Sequence, residues 1–375
     1  MAEASLEHQF NGDLLVSKHD QDLAKKLYGE IYHVLDHPEL RREFQAYDVV
    51  ANSSKLWVQR VGLLAVLLAA IALLGSAISP LVHQFHDISP IVQDVLFWLE
   101  VAGIVGVTIA AGGIALAKQK RRWLKARMMA EVIRLWHFQS LICRGKEIAM
   151  SCDPSNKKAS ANYRVSRATA FQAMLNDWGG SPDSHLSELI EKPAEGYEML
   201  HDQESHYPAG SAVIDKIFAA YKATRFKHQA NYAAHKLERS TDYPLRILKW
   251  PAAVLQERMQ LFASMCLVLS LVCSLLTVIG HVAKWEISSG PILPVATIVL
   301  LILNVAARAV QDGLAAPEEL QRYNDYAGKI EYLRRRFDVE HSPEEKIKLM
   351  VEMERAALEE LKGFLRAHFE SRFIV

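Results

Sequence analysis

Val61 to Val82 reads VGLLAVLLAAIALLGSAISPLV, without a charged residue, and its reading decides the fold. About 20 apolar residues of helix cross a bilayer core, so this run is long enough to span one. A short polar loop leads to a second, mainly apolar run, Val95 to Ala117, which ends in a dense basic cluster. Leu261 to Val282 and Ile287 to Ala307 repeat the layout. The pattern predicts an all-α, polytopic membrane protein with four transmembrane helices and a helical cytoplasmic domain.

Charge sets the expected orientation. Lys55 and Arg60 precede the first run, whereas the loop from His83 to Asp94 carries Asp87 and Asp94 and neither Lys nor Arg. Lys118, Lys120, Arg121, Arg122, Lys125 and Arg127 follow the second run. Lys249 and Arg258 precede the third, only Lys284 and Glu286 lie in its return loop, and Arg308 follows the fourth. Under the positive-inside rule both termini and the central segment are cytoplasmic, and in a bacterial inner membrane the two short loops face the periplasm. The segments are therefore 1-60, N-terminal cytoplasmic helices; 61-117, the first transmembrane pair; 118-258, a central helical domain; 259-307, the second pair; and 308-375, a cytoplasmic hairpin.

Composition excludes several classes. The 43 basic and 43 acidic residues balance, which speaks against a large nucleic-acid-binding domain. Cys143, Cys152, Cys266 and Cys273 form no disulfide framework, and the last two read as small apolar fillers of the third run. The chain is polar as far as Ala51, so the first apolar run comes too late for a cleaved signal peptide.

Within the second run Ala102, Gly106 and Ala110 are spaced by four, and Gly103, Gly112 and Gly113 add low-profile surface. Small residues let membrane helices approach closely, which makes this helix the candidate for the tightest contact, within the chain or between subunits. Glu100 sits near its outer end, either ringing the mouth of an oligomeric pore or lying in the headgroups. Thr108 and Asn304 are further polar pore candidates, and either could simply bridge two helices.

From Lys118 the second helix is expected to continue, since Gln119 to Cys143 contains neither Pro nor Gly. Trp123, Arg127, Ala130/Glu131, Arg134 and Phe138 recur at helical spacing, with ion-pair spacings between Arg127, Glu131 and Arg134. This face reads either as a solvated stalk or as a ligand-sensing gate. Lys157, Lys158, Arg164 and Arg167 form a basic patch near Tyr163 that could neutralise phosphates of a nucleotide or act as a solvated face. His201, Asp202, Glu204 and His206 lie close in sequence but lack the supporting pattern of a metal site.

The remaining segments read as follows. Residues 1-17 form a loose tail, and a helix from Asp20 with Leu23, Leu27, Ile31 and Val34/Leu35 on one stripe stops near Pro38. Tyr163 to Trp178 is a helix with Val165, Thr169 and Met174 partly buried, followed by an irregular Asp183-Ser184-His185 segment. Ala212 to Leu237 is helical, with Arg225 and Gln229 away from the apolar side. Leu320, Tyr323, Tyr326, Ile330, Leu333 and Phe337 make one apolar stripe, and Ser342-Pro343-Glu344-Glu345 starts the last helix with a capping box.

Trp123-Leu124-Lys125-Ala126-Arg127, followed by Ala130-Glu131 and Arg134, resembles the segment after the second crossing in SLATT-type domains. Tyr221, Arg225, Gln229, Tyr232 and Leu358-Glu359-Glu360-Leu361-Lys362-Gly363-Phe364-Leu365 are similar to sequences of the same superfamily. The resemblance implies a pore-forming membrane effector of bacterial anti-phage defence, held closed until a nucleotidyltransferase-like partner changes its nucleotide or oligonucleotide ligand. Four crossings and a central insertion depart from the family's two-crossing layout.

No GxxxxGK loop, GxSxG elbow, HExxH pair or paired cysteine site is present, so the chain reads as non-enzymatic, without cofactor or metal. The expectation is a homo-oligomer, such as a tetramer, that passes ions when a cytoplasmic ligand shifts a closed-open equilibrium. A non-conducting membrane scaffold is the first alternative and a small-solute transporter the second.

Overall fold

The structure is a computed structural model, and it describes residues 11-84, 94, 97-98, 101, 103, 113-192, 200, 207-208, 211-238, 250-283 and 291-373, the side chains of 80-84, 113-116 and 157 excepted. All regular elements among these are helical. They are α1 (Lys18–Leu27), α2 (Tyr32–Leu35), α3 (Pro38–Gln84), α4 (Gly113–Cys143), α5 (Gly145–Ser151), α6 (Lys157–Gly180) and α7 (Pro182–Glu191). Then follow α8 (Ala212–Tyr221), a π-helical turn (Lys222–Phe226), α9 (Lys227–Lys236), α10 (Ala252–Val282), α11 (Ile292–Gly313), α12 (Ala316–Val339) and α13 (Pro343–Glu370).

The chain divides into two compact units. The first comprises Met1–Ser53, Arg122–Leu237 and Gln321–Arg366. Its core gathers Phe44 of α3, Leu124, Met128, Trp136 and Phe138 of α4, Phe171 of α6, Phe226 of the π turn, and Met353 and Leu365 of α13. α12 and α13 are antiparallel, because Arg322 near the start of α12 pairs with Glu360 late in α13 and Lys329 pairs with Glu359. The stripe Tyr323, Tyr326, Ile330, Leu333 and Phe337 is buried as its spacing requires.

Several local expectations are corrected here. In the expected loose tail, the described residues 11-17 are ordered by local bonds: Gly12–Leu14 forms a 3-10 turn that buries Asp13 and Leu14, and Ser17 caps α1 by accepting from Asp20 N at 3.0 Å. Leu23 and Leu27 are exposed: the helix ends at Leu27, and of the expected stripe only Ile31, Val34 and Leu35 turn inward. On α6 the buried row is Tyr163, Arg167, Phe171, Met174 and Trp178, with Val165 and Thr169 outside. A buried arginine had shifted the apparent phase of that helix. Asp183-Ser184-His185 belong to α7, which Pro182 opens at its first position.

The second unit comprises Ser54–Arg121, Glu238–Leu320 and Ala367–Val375. Among the described residues three helices are long and apolar enough to cross a membrane, within Tyr32–Ser79, Ala252–Val282 and Ile292–Gly313. α10 and α11 pack antiparallel, since Asn304 Nδ2 donates to Ala263 O at 2.5 Å and Gln311 Nε2 to Gln256 Oε1 at 3.1 Å. Ala263, Cys266 and Ser270 supply the low face of α10. Its other sides expose Leu261, Met265, Val268, Leu271, Leu275 and Val278. An apolar surface of that extent is costly in water and favourable in hydrocarbon. Most of the second apolar run lies outside the described residues, but Gly103 is helical and rests on Ala72 of α3 so closely that a methyl group there would overlap it.

Candidate functional site: a partly buried chain of charges

α4 is the element on which the polar centre of the first unit is built. Trp123, Arg127, Glu131, Arg134 and Phe138 fall on one face of its 3.6-residue turn, and the helix holds them in line. Trp123 is buried, edge-on to Phe364 of α13. Arg127 pairs with Glu131 at 2.6 Å and approaches Asp48 of α3 at 3.6 Å. Arg134 donates to both Glu131 oxygens at 2.8 and 2.7 Å, lies 3.1 Å from Asp13, and donates to Asn11 at 2.8 Å. His228 stands 3.8 Å beyond Asp13. Charge therefore alternates along Asp48, Arg127, Glu131, Arg134 and Asp13.

Burial alone pushes the Glu131 carboxyl up, but Arg127 and Arg134 outweigh it and hold the group down at about 2. Burial likewise opposes the charge on Arg127, and Glu131, foremost among its neighbours, keeps it firmly protonated.

A second charged pair lies in the same core. Arg225 donates to Glu354 from Nε at 2.9 Å and from Nη2 at 2.7 Å, and the Tyr221 hydroxyl adds 2.5 Å to the same carboxylate. The guanidinium also lies over the Phe138 ring, 4.5 Å from its centroid. Burial pushes the Glu354 carboxyl up, while Arg225 pulls it back toward ionisation. Sequence reasoning placed Arg225 on an outer face and did not single out Glu354, Asp13 or Asp48. The signal for Glu354 is its register: it follows Met350 by four and precedes Leu358 by four on an otherwise apolar stripe.

The predicted basic patch divides. Arg167 is buried and closes the carboxyl end of α2 by donating to Val34 O and, at 2.6 Å, to Asp36 O. Arg144 donates to Glu147 at 2.6 Å and Ser166 at 2.5 Å. The Tyr163 ring carries both guanidiniums, at 5.2 Å from Arg167 and 5.7 Å from Arg144. Lys158 and Arg164 point to solvent, and the side chain of Lys157 lies outside the described residues. Next to Arg167, His37 stacks on Trp136 and meets Phe171 edge-on. Burial, reinforced by Arg167, drives His37 down to about 2 and His137 down to about 3, so both are neutral.

Of the pore candidates, Gly103 packs on α3 and Asn304 is committed to Ala263 O of α10. Glu100, Gly106 and Thr108 lie outside the described residues, as do His201, Asp202, Glu204 and His206. No group of three or more metal-ligand side chains occurs among the described residues. A shallow depression lined by Glu39, Arg42, Thr169, Gln172 and Asn176 involves none of the predicted ligand residues.

Comparison with protein-family models, curated proteins and solved structures finds no match for this chain.

Proposed function

We propose that the chain is a four-pass protein of the bacterial inner membrane that assembles into an ion-conducting pore. In this reading its polar segments face the cytoplasm, and a nucleotide or oligonucleotide, made by a nucleotidyltransferase-like partner, gates it in anti-phage defence. The observation that carries the reading lies within two helices. α3 bears Asp48 and, farther along the same helix, the uncharged run from Val61 to Val82. α4 bears the end of the second apolar run at Gly113–Ala117 and, farther along, Arg127, Glu131 and Arg134. Asp48 and Arg127 meet at 3.6 Å, so each helix couples an apolar run to the same charge chain through an unbroken backbone. Exposed Lys158 and Arg164 supply phosphate-neutralising charge beside Tyr163.

The test is ion flux through liposomes holding the purified protein, with and without nucleotide extracts of cells expressing its genomic neighbours. Flux that depends on the extract and changes in Glu100→Gln supports the pore. Absence of flux in every condition, from protein that remains folded and oligomeric, refutes it. The closed partnering of Arg225, Glu354 and Tyr221 favours a second reading, a rigid non-conducting scaffold that anchors a signalling partner. That reading takes over if flux is absent.

A further inference from the structure

α13 ends at Glu370, and Ser371 to Phe373 follow it, outside any regular element, within the second unit. Lys120 of α4 clasps this exit. Its ammonium donates to Ser371 O at 2.5 Å, Phe369 O at 3.1 Å and Ser371 Oγ at 3.4 Å, satisfying carbonyls that the end of a helix leaves without partners. His368 pairs with Glu319 at 2.8 Å one turn earlier. The segment is thereby aimed, and its next aromatic side chain is Phe373.

The Phe373 ring lies between Gly62 of α3 and Gly313 of α11, and at either position a single methyl group would overlap it. The ring also packs on the cluster of Leu255, Leu314 and Ala316. Neither glycine is there for backbone freedom. Gly62 is inside a helix, where glycine is less favourable than alanine, and Gly313 lacks the left-handed φ, which occurs two residues on at Ala315 (φ 51°). Space is the property both positions share.

We infer that Gly62 and Gly313 form a slot for an aromatic ring and that Phe373 of the same chain is its occupant, a latch clasped by Lys120 that ties α3 to α11. The inference is independent of the pore reading, because docking of the ring is a property of one folded chain.

The test is a mutant cycle on the full chain in lipid nanodiscs. Alanine is the better helix former, so Gly62→Ala raises the thermal midpoint when nothing occupies the slot and lowers it when the ring does. The latch predicts that Gly62→Ala and Gly313→Ala are destabilising in the native background and neutral or stabilising in the Phe373→Ala background. The same sign in both backgrounds overturns it. As a second readout, 4-fluorophenylalanine at position 373 gives a broad 19F line that narrows by about two-fold or more in Gly62→Ala as the ring gains fast motion. A line that is already narrow in the native background, or does not respond to either glycine variant, also overturns the latch.

Discussion

Acidification is the perturbation that His37 and His137 make most informative. Both rings are buried and lie near Arg167, and they are held down at about 2 and about 3. In the unfolded chain a histidine titrates near 6.5. Below that pH the unfolded state binds protons that the folded state refuses, so the stability contribution is complete above about pH 6.5 and declines as pH falls. The slope is about 1.4 kcal/mol per pH unit per histidine, which gives about 2 kcal/mol each and about 4 kcal/mol together between pH 7 and pH 5. Urea unfolding of the detergent-solubilised protein, followed by helical circular dichroism at both pH values, measures the loss. The His37→Leu, His137→Leu double variant removes both groups at similar side-chain volume, and its pH 7 to pH 5 loss should be smaller than the native one by about 4 kcal/mol. Carboxylates such as Glu354 titrate in both proteins and cancel in the comparison. Identical losses would refute the assignment of buried neutral histidines.

Glu354→Ala leaves the Arg225 guanidinium buried without its carboxylate and should cost about 3–5 kcal/mol in the same unfolding assay, whereas an Arg225→Met, Glu354→Leu pair should cost far less. Arg167→Lys keeps a charge but cannot serve Val34 O and Asp36 O together as the guanidinium does, and faster hydrogen exchange confined to α2 and the start of α3 is the expected signature. Asn304→Leu removes the bond to Ala263 O and should weaken α10–α11 packing by about 1 kcal/mol, read as a lower thermal midpoint in nanodiscs. Under the pore reading Phe373→Ala frees α3 from α11, and liposomes should then leak ions without added ligand.

The helices were largely legible because the apolar periodicity is strong. The α12 stripe from Tyr323 to Phe337 and the uninterrupted course of α4 both follow from spacing and from the absence of Pro and Gly. The polar centre is hidden from the sequence because charged side chains ordinarily face solvent. Arg167 reads as part of an outer basic patch, yet it occupies the core row of α6, two positions from the expected Val165 and Thr169 face. Arg225 and Glu354 each sit on an apolar stripe, where a charged residue signals a buried partner, but they are 129 positions apart and nothing local names the pairing. Arg127, Glu131 and Arg134 were legible as mutual partners, while their links to Asp48 and Asp13 depend on tertiary packing. Gly62 gave no signal of its own, since glycine is common in membrane helices and its neighbour Phe373 is distant in sequence.

Under the proposed function, the charge chain on α3 and α4 governs what the apolar runs do. Ion flux through liposomes should be compared between the native protein and Glu131→Gln, using protein shown to be folded and assembled, with and without the nucleotide extract. Ligand-dependent flux is expected in the native protein and flux indifferent to ligand in the variant. Native protein that never conducts, or a variant that keeps the full ligand dependence, would contradict it.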